Sequence, residues 1–184
     1  NGNIKIKNGK ALLETNPEKE GYYVNNSDDA NVIDTQFLLQ NIFKENYEAT
    51  RELITSICVV EQVHPNRKGD LMAMLNQAKT DPKFYIEISK TILSGKLEYK
   101  RNSDGELHHL NEAKSRFIFP PIPNFLFTRD IGVSIGDHLL ITKPKYDIRK
   151  REVLLTGFIA ENYLCKDDHS KIIRVSEDDE FFQV

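Results

Sequence analysis

The feature that most constrains this chain is a succession of four amphipathic helical segments between residues 34 and 95. Asp34 or Thr35 can cap the first, whose apolar residues Phe37, Leu38, Leu39, Ile42 and Phe43 fall at three-to-four spacing. The second carries Ala49, Leu53, Ile54, Ile57 and Val60 on one side, and the third, Asp70 to Lys79, carries Leu71, Met72, Met74, Leu75 and Ala78. The fourth has the clearest punctuation: Asp81 as cap, Pro82 at the first helical position, Tyr85, Ile88 and Ile92 as stripe, Gly95 just past the end. Helices this short cannot bury their stripes singly, so they are expected to pack as one helical unit.

The flanks read differently. Residues 1–31 are polar, with Asn-Gly at 1–2 and 8–9; Ile4 and Ile6 alternate enough for one short strand, and the rest reads as loop. Residues 96–116 are charged, with the turn signal Asp104-Gly105, and fit a solvated hairpin or loop. After Arg116 the character changes. Phe117-Ile118-Phe119 is strand-like, and Pro120, Pro121 and Pro123 force an extended connection. Val133–Ile135 and Leu139–Ile141 predict two strands around Gly136-Asp137, a helix follows from Asp147, and Ile172, Ile173 and Val175 predict a further strand. The fold class is α/β. The divisions are a polar segment 1–31, a helical unit with its charged loop 32–116, and an α/β region 117–184.

Composition narrows the function classes. With 25 Lys+Arg against 28 Asp+Glu, the net charge is −3, so no general field steers the chain to nucleic acid or an anionic membrane. Hydrophobic residues at 39 % are too many for a wholly disordered chain, and the longest uncharged stretch, Phe117 to Thr128, is too short to span a bilayer. Two cysteines, Cys58 and Cys165, make neither a disulfide framework nor a zinc knuckle, which makes cytoplasm the default compartment. The start at Asn1 and the apolar end Phe181-Phe182-Gln183-Val184 read as those of a piece of a longer protein.

Few residues carry chemistry by themselves. No phosphate-cradling loop, His-X-X-X-His or Cys-X-X-Cys is present, and His108-His109 are adjacent and so diverge. His64, His138 and His169 fit surface or hydrogen-bonded structural roles, and Cys58 sits in an apolar run as a small hydrophobe. The informative stretch is Pro123 to Glu152. It sets Asp130 at the end of an apolar strand beside Asn124 and Phe127, and Arg149 opens a helix nineteen residues on. Taken alone, that spacing reads as a cap at Asp130, a core aromatic at Phe127 and a solvated basic helix face at Arg149–Arg151, ahead of a binding site.

The string Pro123-Asn124-Phe125-Leu126-Phe127-Thr128-Arg129-Asp130, followed by a strand pair and by Arg149-Lys150-Arg151-Glu152, resembles the first active-site block of the arginine deiminases. Ile33 to Phe43, Ala49 to Ile54 and Ile86 to Gly95 resemble the helical insertion of that family, so the likeness runs over roughly residues 32–162. It implies a partial five-bladed α/β-propeller (pentein) with a helical insertion domain. It implies L-arginine as substrate, hydrolysed to L-citrulline and ammonia through a covalent thiouronium, with no cofactor and no metal. By the same resemblance Asp130 is the catalytic carboxylate that grips the guanidinium, as paired charge-assisted hydrogen bonds permit. Phe127 lines the guanidinium slot, Asn124 lies near the amino-acid end, and Arg149 holds the α-carboxylate.

The family's nucleophilic cysteine, its histidine and its Glu-Gly-Gly-Asp motif have no counterpart in the 184 residues, so activity is expected of the intact parent alone. An amidinotransferase-like enzyme, or a non-catalytic guanidino-binding or helical interaction domain, remains the alternative. Homo-oligomerisation of the parent stays open, and the acidic run Glu177–Glu180 reads as solvated charge.

Overall fold

A computed structural model describes residues 2–7, 10–15, 34–110, 116–122 and 131–175. Strands β1 (Gly2–Lys7) and β2 (Lys10–Thr15) form an antiparallel ladder with Lys7 opposite Lys10. β1 is the expected strand. β2 corrects the loop reading, because Ala11-Leu12-Leu13 is a continuous apolar run with no alternation to betray a strand.

The helical unit is α1 (Thr35–Glu45), α2 (Tyr47–Val60), α3 (Pro65–Ala78) and α4 (Lys83–Ser94). The Asp34 side chain caps α1 by accepting from the Phe37 amide at 2.9 Å. One residue of the expected stripe fails: Phe37 is exposed in the first turn, and Leu38, Leu39, Ile42 and Phe43 do the packing. α3 starts five residues before the expected Asp70, since His64 caps it through Nδ1 and Pro65 stands at its first position. α4 starts at Lys83, one residue later than read, with Asp81 accepting from the Lys83 amide at 3.2 Å. α4 packs against α1 and α3, and α2 against α3.

Gly95 closes α4 in the left-handed region at φ +76°. There the chain returns on itself. β3 (Lys96–Leu97) pairs antiparallel with β6 (Arg116–Phe117), and between them β4 (Tyr99–Arg101) pairs with β5 (Leu107–His109) as the expected charged hairpin. The Ile118 amide donates to the Gly95 carbonyl at 2.8 Å, and a Cβ at position 95 would lie 2.1 Å from the Phe119 carbonyl oxygen.

In the last region β7 (Gly132–Ile135) and β8 (His138–Ile141) form the predicted hairpin, and β9 (Ile172–Arg174) joins β8 in parallel. Parallel pairing requires a crossover, supplied by α5 (Lys150–Ile159), which continues through a wide π-type turn, Ala160–Leu164. Leu155 and Phe158 of α5 face α2 and join the same buried cluster as the four helices, with the Phe158 ring 5.8 Å from that of Phe43. The apolar core therefore runs across residue 116. Val133, Leu140 and Ile173 lie side by side on the other face of the three-stranded sheet, where Val133, Ile173 and neighbouring Ile135 are exposed. No helix among the described residues is long and apolar enough to cross a membrane.

Gly95 and Gly105 give a matched pair of substitutions. Both hold positive φ, but nothing lies within 4 Å of a Cβ at Gly105. Gly105→Ala is expected to cost about 1–2 kcal/mol of backbone strain alone. Gly95→Ala must also displace the Phe119 backbone, so its loss in denaturant titration is expected to exceed that of Gly105→Ala by at least about 1 kcal/mol.

Candidate functional site

After β8, Pro144 interrupts the strand, and a short 3-10 turn, Asp147–Arg149, leads into α5. The turn forms as the Arg149 amide donates to the Tyr146 carbonyl at 3.0 Å, and Lys150 pairs with Asp147 at 3.0 Å. The next residues put charge inside the protein. Arg149, Arg151 and Glu152 are all buried, Glu152 completely. A solvated basic face at Arg149–Arg151 is thus overturned for the two arginines, and only Lys150 points to water. Each arginine has a carboxylate partner, Arg149 from its own helix and Arg151 from the end of α2.

Arg149 Nε donates to Glu152 Oε2 at 2.8 Å, an i,i+3 pair at the start of the helix. A buried carboxylate there also benefits from the helix dipole. The contact fixes the plane of the guanidinium, whose terminal nitrogens form the fork that suits a carboxylate. Arg151 is held by other groups. Its Nη2 donates to the Pro120 carbonyl, Nη1 lies 3.3 Å from Glu61 Oε1 at the end of α2, and the guanidinium stacks 4.3 Å from the centre of the Phe119 ring. Desolvation lowers its pKa from the ordinary value, against the opposing pull of Glu61 and Glu152.

Beside this turn, a cleft of about 590 Å³ opens outside the carboxyl ends of the parallel strands β8 and β9. Ile141, Lys143, Lys145, Lys150 and Arg174 are among its walls. Crevices in that position are where open α/β sheets commonly take ligands. Asp147 lines it too and pairs with Lys150, and Arg174 pairs with Glu161, so the lining is cationic on balance; Arg149 is not among the described residues that line it.

Of the expected site residues, Arg149 is therefore placed at a buried helix start. Asn124, Phe127 and Asp130 lie outside the described residues. Their described neighbours are well fixed: the Ile122 amide donates to the Leu93 carbonyl at 3.4 Å, and Ile131 is buried with its carbonyl accepting from the Thr142 amide at 2.9 Å. Glu152 as the partner that orients Arg149, and Arg151 with Glu61, were not read as site residues. The Arg-X-X-Glu spacing signalled the first pair, whereas nothing in the sequence links positions 61, 120 and 151.

The remaining candidates are structural. Burial pushes the Cys58 thiol up to about 11, which suits a small core residue rather than a nucleophile. His108 Nε2 pairs with the Asn102 side-chain amide at 2.8 Å, and His109 meets the Tyr99 ring edge-on. His138 sits 2.8 Å from Asp137, and His169 meets the Glu161 carbonyl at 3.0 Å.

Comparison with known proteins identifies the family. The arginine deiminase family model matches residues 26–180, most of the chain. An arginine deiminase of Bacillus cereus is 32 % identical over 124 residues, 66 % of this chain and 28 % of that protein. One from Lactococcus lactis is 23 % identical over 126 residues, 68 % of this chain and 30 % of its own. One from Borreliella afzelii is 38 % identical over 72 residues, 39 % of this chain and 18 % of its own. The matched stretch thus spans less than a third of each of these relatives. Since the family model covers most of its length, this chain belongs to the arginine deiminase family.

Proposed function

We propose that this chain forms part of an enzyme that hydrolyses L-arginine to L-citrulline and ammonia through a covalent thiouronium. In this reading the chain holds the substrate, and the thiolate nucleophile, the histidine and the glutamate come from sequence beyond residue 184. Asp130 grips the guanidinium, Phe127 lines its slot, Asn124 lies near the amino-acid end, and Arg149 takes the α-carboxylate. The order β7, β8, α5, β9 is one blade of a five-bladed propeller, and α1 to α4 are its helical insertion. Reduced thiols at Cys58 and Cys165 fit a cytoplasmic enzyme.

The observation that carries this reading is the orientation of Arg149. A guanidinium locked by a buried carboxylate is pre-organised, so little side-chain freedom is lost when a substrate carboxylate docks. Lys150, next to Arg149 in sequence, lines the cleft together with Lys143 and Lys145, and their positive field favours the same anionic end of the substrate. Free arginine is then preferred over peptide-bound arginine, whose carboxyl group is an amide.

Two substitutions in the intact protein test the assignment. Asp130→Ala is expected to abolish citrulline formation while circular dichroism and Tm stay near those of the parent. Turnover near the parental rate would remove Asp130 from the site. Arg149→Ala would take a close cationic partner from the fully buried Glu152, at a cost of up to about 3–5 kcal/mol, and so confounds binding with folding. Arg149→Lys keeps the charge and removes the fork. It is expected to raise KM for L-arginine roughly 10- to 100-fold, in line with a hydrogen bond to a charged group at about 1.5–3 kcal/mol. Affinity for agmatine, which lacks the carboxylate, is expected to change little, and equal losses for both ligands would contradict the role.

A further inference from the structure

We infer that Arg151 is a positioning residue for the guanidinium end of the site, and that through it the helical unit sets the geometry of substrate binding. The inference rests on the proposed reading in which residues 124–130 hold the guanidinium. Segment 117–122 is the chain's approach to those residues, and beyond the Phe117–Lys96 pairing three hydrogen bonds hold it. The Ile118 amide donates to the Gly95 carbonyl, the Ile122 amide donates to the Leu93 carbonyl, and the Pro120 carbonyl accepts from Arg151. The first two contacts tie the segment to α4. The third, with the Arg151 guanidinium over the Phe119 ring, ties it to α5, two residues from Arg149.

Arg151 therefore joins the approach to the guanidinium-binding residues with the helix start that carries the carboxylate-binding residue. It is itself aimed from two sides, by Glu61 Oε1 at 3.3 Å and by the Phe119 ring under its guanidinium. Glu61 belongs to the helical unit, following the last residue of α2. At 2 % exposure Arg151 has no water to turn toward, so its donors hold the Pro120 carbonyl in one place. Losing that hold shifts the approach while leaving Arg149 on Glu152. The two ends of the site should thus respond separately.

The experiment compares Arg151→Met, Arg151→Lys, the double variant Glu61→Gln/Arg151→Met and Arg149→Lys in the intact protein. The readouts are KM and kcat for L-arginine, the inhibition constant of agmatine, and Tm. The double variant guards against a misfolded single variant, because it leaves no orphaned carboxylate at position 61. Arg151→Met and the double variant are expected to weaken arginine and agmatine together by roughly tenfold, well inside the ~10²-fold that a 1 Å misplacement costs. Arg151→Lys is expected to recover part of that loss, and Arg149→Lys to weaken arginine alone. A lower Tm and active fraction with unchanged KM and inhibition constant in every Arg151 variant would overturn the positioning role while leaving the functional reading intact. A parent protein that makes no citrulline from arginine would overturn that reading and this inference with it.

Discussion

Three ionisable side chains enter the protein interior within four consecutive residues at the start of α5, and their mutual compensation governs what surrounds them. An ion taken out of water costs several kcal/mol unless close, well-aimed partners replace its hydration. Glu152 meets that demand for Arg149 from one turn away, and the Glu61 carboxylate, the Pro120 carbonyl and the Phe119 ring meet it for Arg151 from two distant stretches of chain. A rotation of α5 about its axis would strand at least one of these charges. The helix is held in a single orientation for that reason, more firmly than its apolar contacts alone would hold it.

That orientation divides the labour of α5. Leu155 and Phe158 go into the common core against the helical unit, while the first turn presents Lys150 to the cleft and carries Arg149 beside it. Apolar packing and the charged part of the cleft wall are thereby supplied by different turns of one element. Strands β8 and β9 complete the arrangement, since their parallel pairing across α5 leaves the carboxyl ends of both at the same edge. The clustering of Lys143, Lys145 and Arg174 there follows from topology rather than from any local motif.

How much of this could be read from residue order depends on the range of the forces involved. The helices were legible because their signals are local: the Asp34 cap, the stripes through Leu39 and Ile88, and Gly95 at the left-handed stop. The β7–β8 turn was legible for the same reason. β2 was not, because its pairing partner rather than its own alternation makes it a strand. Phe37 was misread because spacing shows which residues share a side but not where a first turn emerges into solvent. At the site, the string from Asn124 to Asp130 with Arg149 carried the family resemblance, and Glu152 stood at a spacing that pairs. Arg151 carried no such mark; a run of Arg-Lys-Arg reads as solvated until Glu61 and Phe119 are seen against it.

The shared core has a consequence for how such a protein can change over generations. Because Phe43 and Phe158 touch, and Leu155 is sealed by residues from the helices, α5 has no water-compatible side to show if those helices are removed. A descendant that shed the four-helix block would need simultaneous polar replacements on α5 and a new countercharge for Arg151. Gain or loss of the block is therefore a concerted event rather than a cut-and-paste one, and intermediate sequences would carry a sticky helix or a stranded cation.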